Sequence, residues 1–187
     1  QRMGRGYTVE HYRQLSADLR VARPDLALST DIIVGFPGET QEDFELTLGL
    51  LADIRFSAVF AFKYSPRPGT AALRLPGEVD EGVASHRLQQ VFGLQHEIQL
   101  QLNQELLGRE MEVLVTGHGK TPGTLSARSP CHRVVHFPGS LAGGERNTCL
   151  PGHVRLGGLT HVVIERALPH SLIARPVGRD PVGRSSA

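Results

Sequence analysis

Cysteine is scarce in this 187-residue chain: Cys131 and Cys149 are its only two, 18 residues apart. They form no C-x-x-C pair. That excludes a disulfide framework, and it excludes any iron–sulfur cluster or zinc site ligated by cysteines of this chain alone. Reduced thiols in a cytosolic protein are the expectation. No apolar run reaches the ~18 residues that a membrane span needs. The opening residues Q-R-M-G-R-G-Y contain no apolar segment of the kind a secretory signal carries, and Gln1 is not an initiator methionine, so the chain is expected to begin inside a longer protein. Aromatic residues make up 5% of the whole, and beyond residue 103 Phe137 is the one aromatic. Base stacking cannot be the main mode of any nucleic-acid contact made by that second half.

What is present is unevenly distributed. Residues 1–103 carry 10 Lys/Arg against 13 Asp/Glu, a net of −3, whereas residues 104–187 carry 10 against 6, a net of +4, and six of the nine histidines. A charge difference between halves hints at a nucleic-acid-facing module in the second. With 40% hydrophobic and 21% charged residues the chain is ordinary for a globular protein with a real core.

Along the first half, Thr8 can cap a helix over residues 9–22, which Pro24 forbids from continuing. L-A-L-S-T-D-I-I-V, residues 26–34, is mostly apolar, as a strand buried on both faces should be. The loop G-F-P-G-E-T follows, with Thr40 and Asp43 spaced as a capping box. Phe44, Leu48, Leu51 and Ile54 then recur at helical spacing, and A-V-F-A-F-K-Y, residues 58–64, reads as a second strand. This α-β-α-β order implies a parallel sheet. After the S-P-R-P-G-T loop, a long amphipathic helix is expected over about residues 80–107. Val83, Leu88, Val91, Leu94, Ile98 and Leu102 would form its apolar stripe, and Gly108 its terminating glycine. Beyond it the texture changes to short β-branched runs at 111–115, 133–137 and 161–164, separated by Gly and Pro. That pattern predicts a small barrel or sandwich. The tail, residues 177–187, is polar and expected to be disordered.

S-T-D-I-I-V-G-F-P-G-E-T describes a strand ending in a glycine turn, at the carboxyl end of a parallel sheet, where α/β proteins bind ligands. Gly35 and Gly38 would permit close backbone approach. As local physics this is equally a plain strand-to-helix connection. Together with M-G-R-G-Y-T (Met3 to Thr8) before it and Y-S-P-R-P-G-T (Tyr64 to Thr70) after it, however, the motif resembles the second half of the radical-SAM domain of methylthiotransferases, in the family's order and spacing. E-L-L-G-R-E-M-E-V-L-V-T-G, R-V-V-H-F-P-G and E-R-A-L-P-H-S-L resemble the opening, middle and end of the TRAM domain that follows it. The resemblance spans roughly residues 1–175.

The resemblance implies an α/β chain made of a partial, TIM-like radical-SAM barrel (residues 1–103, with its long connecting helix) and a small OB-like all-β TRAM barrel (residues 104–176). It implies the chemistry of MiaB-type enzymes, which methylthiolate carbon 2 of N6-isopentenyladenosine beside the tRNA anticodon. They use S-adenosylmethionine and two 4Fe-4S clusters, because an aromatic C–H at that carbon resists polar chemistry. The cluster cysteines are absent from this chain, so by itself it is expected to be inactive. The implied partner is the tRNA anticodon stem-loop, the implied setting cytoplasmic, and the full-length enzyme a monomer with no membrane contact. A RimO-type enzyme acting on a ribosomal-protein aspartate, or a non-catalytic RNA-binding protein, are the alternatives.

Roles carry over residue by residue. Arg5, Asp31, Ile33, Val34 and Gly35 fall where the family lines its S-adenosylmethionine site, although a buried Asp31 could equally be structural. Glu39 is expected to favour the positive end of the following helix. Tyr64, Arg67 and Pro68 lie where substrate would enter, with Arg67 the candidate contact. Lys120, Arg128, Arg133 and Arg175 are the candidate phosphate contacts of the second half. There the family reads approximately G-R-T-R-x-N-x-x-V-x-F, whereas this chain reads A-R-S-P-C-H-R-V-V-H-F, with Pro130 and His132 in place of an arginine and an asparagine. The histidines at 118, 132, 136, 153, 161 and 170 show no metal-binding spacing.

Overall fold

The computed structural model describes residues 3–141 and 153–177. The chain is mixed α/β and divides into two compact units, Gln1–Gln99 and Leu100–Ala187.

The first unit contains α1 (Val9–Ala22), β1 (Ser29–Val34), α2 (Gln41–Ile54), β2 (Ala58–Lys63), a short 3₁₀ turn (Ala71–Arg74) and most of α3 (Glu81–Gln104). The caps form as the sequence predicts. Thr8 Oγ1 accepts from the His11 amide at 3.2 Å. Thr40 and Asp43 make a reciprocal capping box, with bonds of 3.1 and 3.0 Å, so two otherwise unpaired amide donors at the start of α2 are satisfied. β1 and β2 pair in parallel, from Ser29 opposite Ala58 to Val34 opposite Lys63, and α2 is their crossover. Phe44, Leu51 and Ile54 of α2 bury against Val34, Phe56, Ala61 and Val91.

β1 departs from expectation in one respect: it is not buried on both faces. Thr30, Ile32 and Val34 share the covered face, but Asp31 is exposed on the other, and Ile33 (45% exposed), Phe60 (56%) and Phe62 (57%) lie open there. Among the described residues β1 pairs only with β2. A two-stranded sheet with one helix layer buries only one side, whatever the hydrophobicity of the other.

α3 is shorter than the predicted 80–107, and its buried stripe is Ala84, Arg87, Val91, Gln95 and Ile98; Val83 is 42% exposed. Polar residues sit on that stripe because the core supplies them with partners. Gln95 Nε2, for example, donates to the Phe56 carbonyl at 3.0 Å. Gly108 has the left-handed φ of 75° expected of a terminating glycine, but it follows a further turn beyond the helix, and its amide donates to the Ile164 carbonyl at 2.8 Å.

The second unit is a closed barrel in the order β3 (Glu110–His118), β4 (Thr124–Arg128), β5 (Val134–Pro138), β9 (Ser171–Pro176) and β8 (Leu159–Ala167). β6 (Ser140–Leu141) and β7 (His153–Val154) add a two-residue parallel pair. Alternate residues point inward, so Val113, Val115, Leu125, Ala127, Val135, Phe137, Val162, Ile164, Leu172 and Ala174 form one sealed core. The three β-branched runs became β3, β5 and β8. β4 and β9 went unpredicted because T-L-S-A-R and S-L-I-A-R-P alternate without β-branched density. Cys149 and residues 178–187 of the expected tail lie outside the described residues. Among the described residues, no helix is long and apolar enough to cross a membrane.

Candidate functional site

The loop at the carboxyl end of β1 is held by a buried ion pair. Glu39 Oε2 accepts from the Gly35 amide at 2.6 Å and from Arg87 Nη1 at 2.7 Å. Their side chains are only 11% and 6% exposed, and the guanidinium lies over the Phe44 ring, 5.3 Å from its centre. Glu39, expected to serve the helix end, thus bridges the loop to α3. Gly35 adopts φ 72°, and a Cβ there would sit 2.8 Å from Ala84 Cβ. The close approach that this glycine permits is therefore to α3. The Gly38 amide donates to the Gly77 carbonyl at 2.6 Å, which ties down the other end of the loop.

The remaining first-unit candidates separate by strand alternation. Asp31 and Ile33 lie on the open face, opposite Phe60 and Phe62 respectively. Val34 points the other way, its side chain fully buried in the core. Arg5 is exposed ahead of α1, near Tyr7, whose ring stacks on Tyr12; among the described residues no ion pair ties it to Asp31. Arg67 is exposed in the turn after β2, where its carbonyl accepts from Thr70 Oγ1 at 2.8 Å. Phe60 and Phe62 share the open face with Asp31 and Ile33, which the sequence does not reveal because it assigns them to a generic strand. Their pairing with Asp31 and Ile33 is a fact of register.

On the barrel, charge is sorted by strand. The outward side of β3 and β8 is acidic: His161 lies 3.2 Å from Glu110 and 3.7 Å from Glu112, and Glu165 is 3.2 Å from Arg175. Arg175, a predicted phosphate contact, is thus paired within this acidic side. Arg128 and Arg133 flank the turn between β4 and β5, and among the described residues neither has a carboxylate partner. Arg128 Nη1 donates to the His132 carbonyl at 2.9 Å. Arg133 Nε donates to Asn103 Oδ1 at 2.8 Å. His136 of β5 faces outward on the same side. Lys120 is exposed in the β3–β4 connection, and among the described residues no hydrogen bond joins it to either arginine. Among the described residues, no group of three or more His, Cys, Asp or Glu could hold a metal ion.

No family model matches the chain. Its sequence is 49% identical over 144 residues to the tRNA-2-methylthio-N(6)-dimethylallyladenosine synthase of Moorella thermoacetica, covering 75% of this chain and 32% of that protein. The synthase of Tropheryma whipplei is 39% identical over 188 residues (97% of this chain, 38% of that one), and that of a Mycobacterium species 44% over 177 residues (92% and 34%). This stretch of chain belongs to the MiaB-type methylthiotransferase family. It spans about a third of the length of the curated relatives it matches.

Within that family the two departures at the β4–β5 turn have a local explanation. The His132 amide donates to the Ser129 carbonyl at 2.9 Å, and the Ser129 amide to the Arg133 carbonyl at 3.0 Å. Pro130, Cys131 and His132 therefore form a three-residue hairpin loop whose last residue, His132, has φ 62°. Histidine, like asparagine, is among the non-glycine residues that best tolerate this conformation, so His132 suits the turn. Pro130 occupies the position after a turn's first residue, where a fixed φ near −65° is welcome.

Proposed function

We propose that this chain is the substrate-side part of a MiaB-type enzyme that methylthiolates carbon 2 of N6-isopentenyladenosine next to the tRNA anticodon. Residues 1–103 would be part of a radical-SAM barrel, and residues 104–176 a TRAM domain that holds the tRNA. The observation that carries this reading is identity of 39–49% to synthases of that name over 75–97% of the chain. The setting is cytoplasmic and the complete enzyme monomeric.

The residues of this chain fit one implied cofactor and not the other. The open face of β1–β2, with Ile33, Phe60 and Phe62 beside the Asp31 carboxylate, suits an aromatic base with polar amino and hydroxyl groups at its edge. It would hold S-adenosylmethionine, which supplies a carbon radical when reductively cleaved. Ile33 and Phe62 would pack on the base and exclude water, while Asp31 accepts hydrogen bonds and the Glu39–Arg87 pair keeps the Gly35 loop from moving. Arg5 and Arg67 would reach the cofactor and the substrate respectively. The iron–sulfur clusters find no ligand set here, so no step is assigned to them. The tRNA would be held at the β4–β5 side of the barrel, through Arg128 and Arg133 with Lys120, by contacts to phosphate rather than by stacking.

The test is mass spectrometry of tRNA from a strain that lacks its own synthase, supplied with the longer coding sequence that contains this stretch. Appearance of the 2-methylthio nucleoside is expected, while the 187-residue chain alone yields none. A methylthiolated ribosomal protein with unmodified tRNA would overturn the assignment.

A further inference from the structure

Asn103 is nearly sealed from solvent, at 2% exposure, near the end of α3. Its amide nitrogen donates to the carbonyls of Leu168 (2.7 Å) and Pro169 (3.2 Å), in the turn between β8 and β9. Its amide oxygen accepts from Arg133 Nε at 2.8 Å. Both amide hydrogens and the oxygen are therefore engaged, and this buried polar side chain is fully used. Arg133 is fixed at its backbone as well, its amide donating to Ser129 Oγ at 3.1 Å and its carbonyl accepting from the Ser129 amide.

The chemistry of the acceptor matters more than its presence. A guanidinium held by a carboxylate is oriented and neutralised together, as Arg87 is by Glu39 and Arg175 by Glu165. A guanidinium held by an amide oxygen is oriented while keeping its full charge. An arginine with Nε occupied still carries two NH₂ groups, whose geometry matches two oxygens of a phosphate. Holding the planar fork in one orientation beforehand removes part of the side-chain entropy that contact with an anion would otherwise cost. The buried amide oxygen needs a donor in any case, and the donor it has is the one guanidinium nitrogen whose use leaves the fork free.

We infer that Asn103 is a positioning residue that presents Arg133 as a preoriented, un-neutralised guanidinium to an RNA phosphate. The inference rests on the reading of the β4–β5 side as the RNA-binding side. It predicts that Asn103 acts on RNA only through the fork of Arg133.

The experiment is a double-mutant cycle on the full 187-residue chain, reading the affinity and salt dependence of a fluorescein-labelled anticodon stem-loop. Asn103→Ala should weaken binding about fivefold or more in the native background. It should have no further effect in an Arg133→Lys background, where charge remains but Nε is gone. Equal losses in the two backgrounds mean a purely structural role and overturn the inference, leaving the interface reading intact. An Arg133→Ala chain that binds as well as the native one overturns the interface reading and the inference with it. Should Asn103→Ala not fold, Arg133→Lys by itself serves as the second variant. It keeps the charge but loses the fork that Asn103 orients, so affinity should fall about fivefold or more while the salt slope stays as in the native chain. Native-like affinity in a folded Arg133→Lys chain, or an Arg133 Nε–H that exchanges freely with solvent in the native chain, would overturn the inference.

Discussion

Arg87 Nη1 lies 2.7 Å from Glu39 Oε2, and the same carboxylate oxygen accepts the Gly35 amide at 2.6 Å. One buried ion pair thus fixes the loop that ends β1 to a helix more than forty residues further along the chain. Removing one partner strands a charge in the core, which typically costs about 3–5 kcal/mol. Glu39→Gln should therefore lower the stability of the chain by that order in urea unfolding. Glu39→Gln combined with Arg87→Met should cost less than Glu39→Gln alone, because no unpaired charge is left. Equal or larger loss in the double variant would show that the pair is not acting as a unit.

Gly35 is constrained twice, by φ 72° and by Ala84 Cβ at 2.8 Å from where its own Cβ would be. Gly35→Ala should destabilise by about 1–2 kcal/mol from the backbone conformation alone, and more from the steric clash. Adding Ala84→Gly should recover the steric part only. Thermal unfolding of the two variants measures the separation, and full recovery would show that the left-handed backbone is not the constraint.

Charge sorting on the barrel separates the predicted phosphate contacts. Arg128→Ala with Arg133→Ala should weaken binding of an anticodon stem-loop and reduce the salt slope by about 1.4 to 1.8, two contacts' worth. Arg175→Ala, which removes a cation already paired with Glu165 on the acidic side, should leave the slope unchanged. Anisotropy titrations at several salt concentrations decide it, and a reversed order would move the interface to β8–β9.

His132 occupies a left-handed position, φ 62°, at the end of the β4–β5 loop. His132→Asn and His132→Gly should be nearly neutral for stability, while His132→Val, β-branched and strained there, should cost about 1–2 kcal/mol. If valine is tolerated as well as asparagine, the turn does not depend on that conformation.

Much of this architecture was readable residue by residue. Thr8 and Thr40 announce their helices, because a cap needs only a hydroxyl and a neighbouring amide. The β1–α2–β2 order follows from the change of hydrophobic period. The strands β4 and β9 were not readable, since short alternating segments without β-branched residues are stabilised by their neighbours in the barrel rather than by themselves. The site was legible only as a set of candidates: alternation alone separates Ile33 from Val34, but nothing local reveals that Phe60 and Phe62 stand opposite Asp31 and Ile33.

The sequence by itself determined the helix starts, the parallel βαβ unit, the all-β second half and the family, because these rest on local chemistry and on ordered motifs. Tertiary structure alone decided which charges are paired. Glu39 meets Arg87, Arg175 meets Glu165 and Asn103 meets Arg133 across sequence gaps that no local pattern spans. Whether a charged group is cancelled or left to act depends on distances of a few ångströms between distant parts of the chain, and only folding sets those distances.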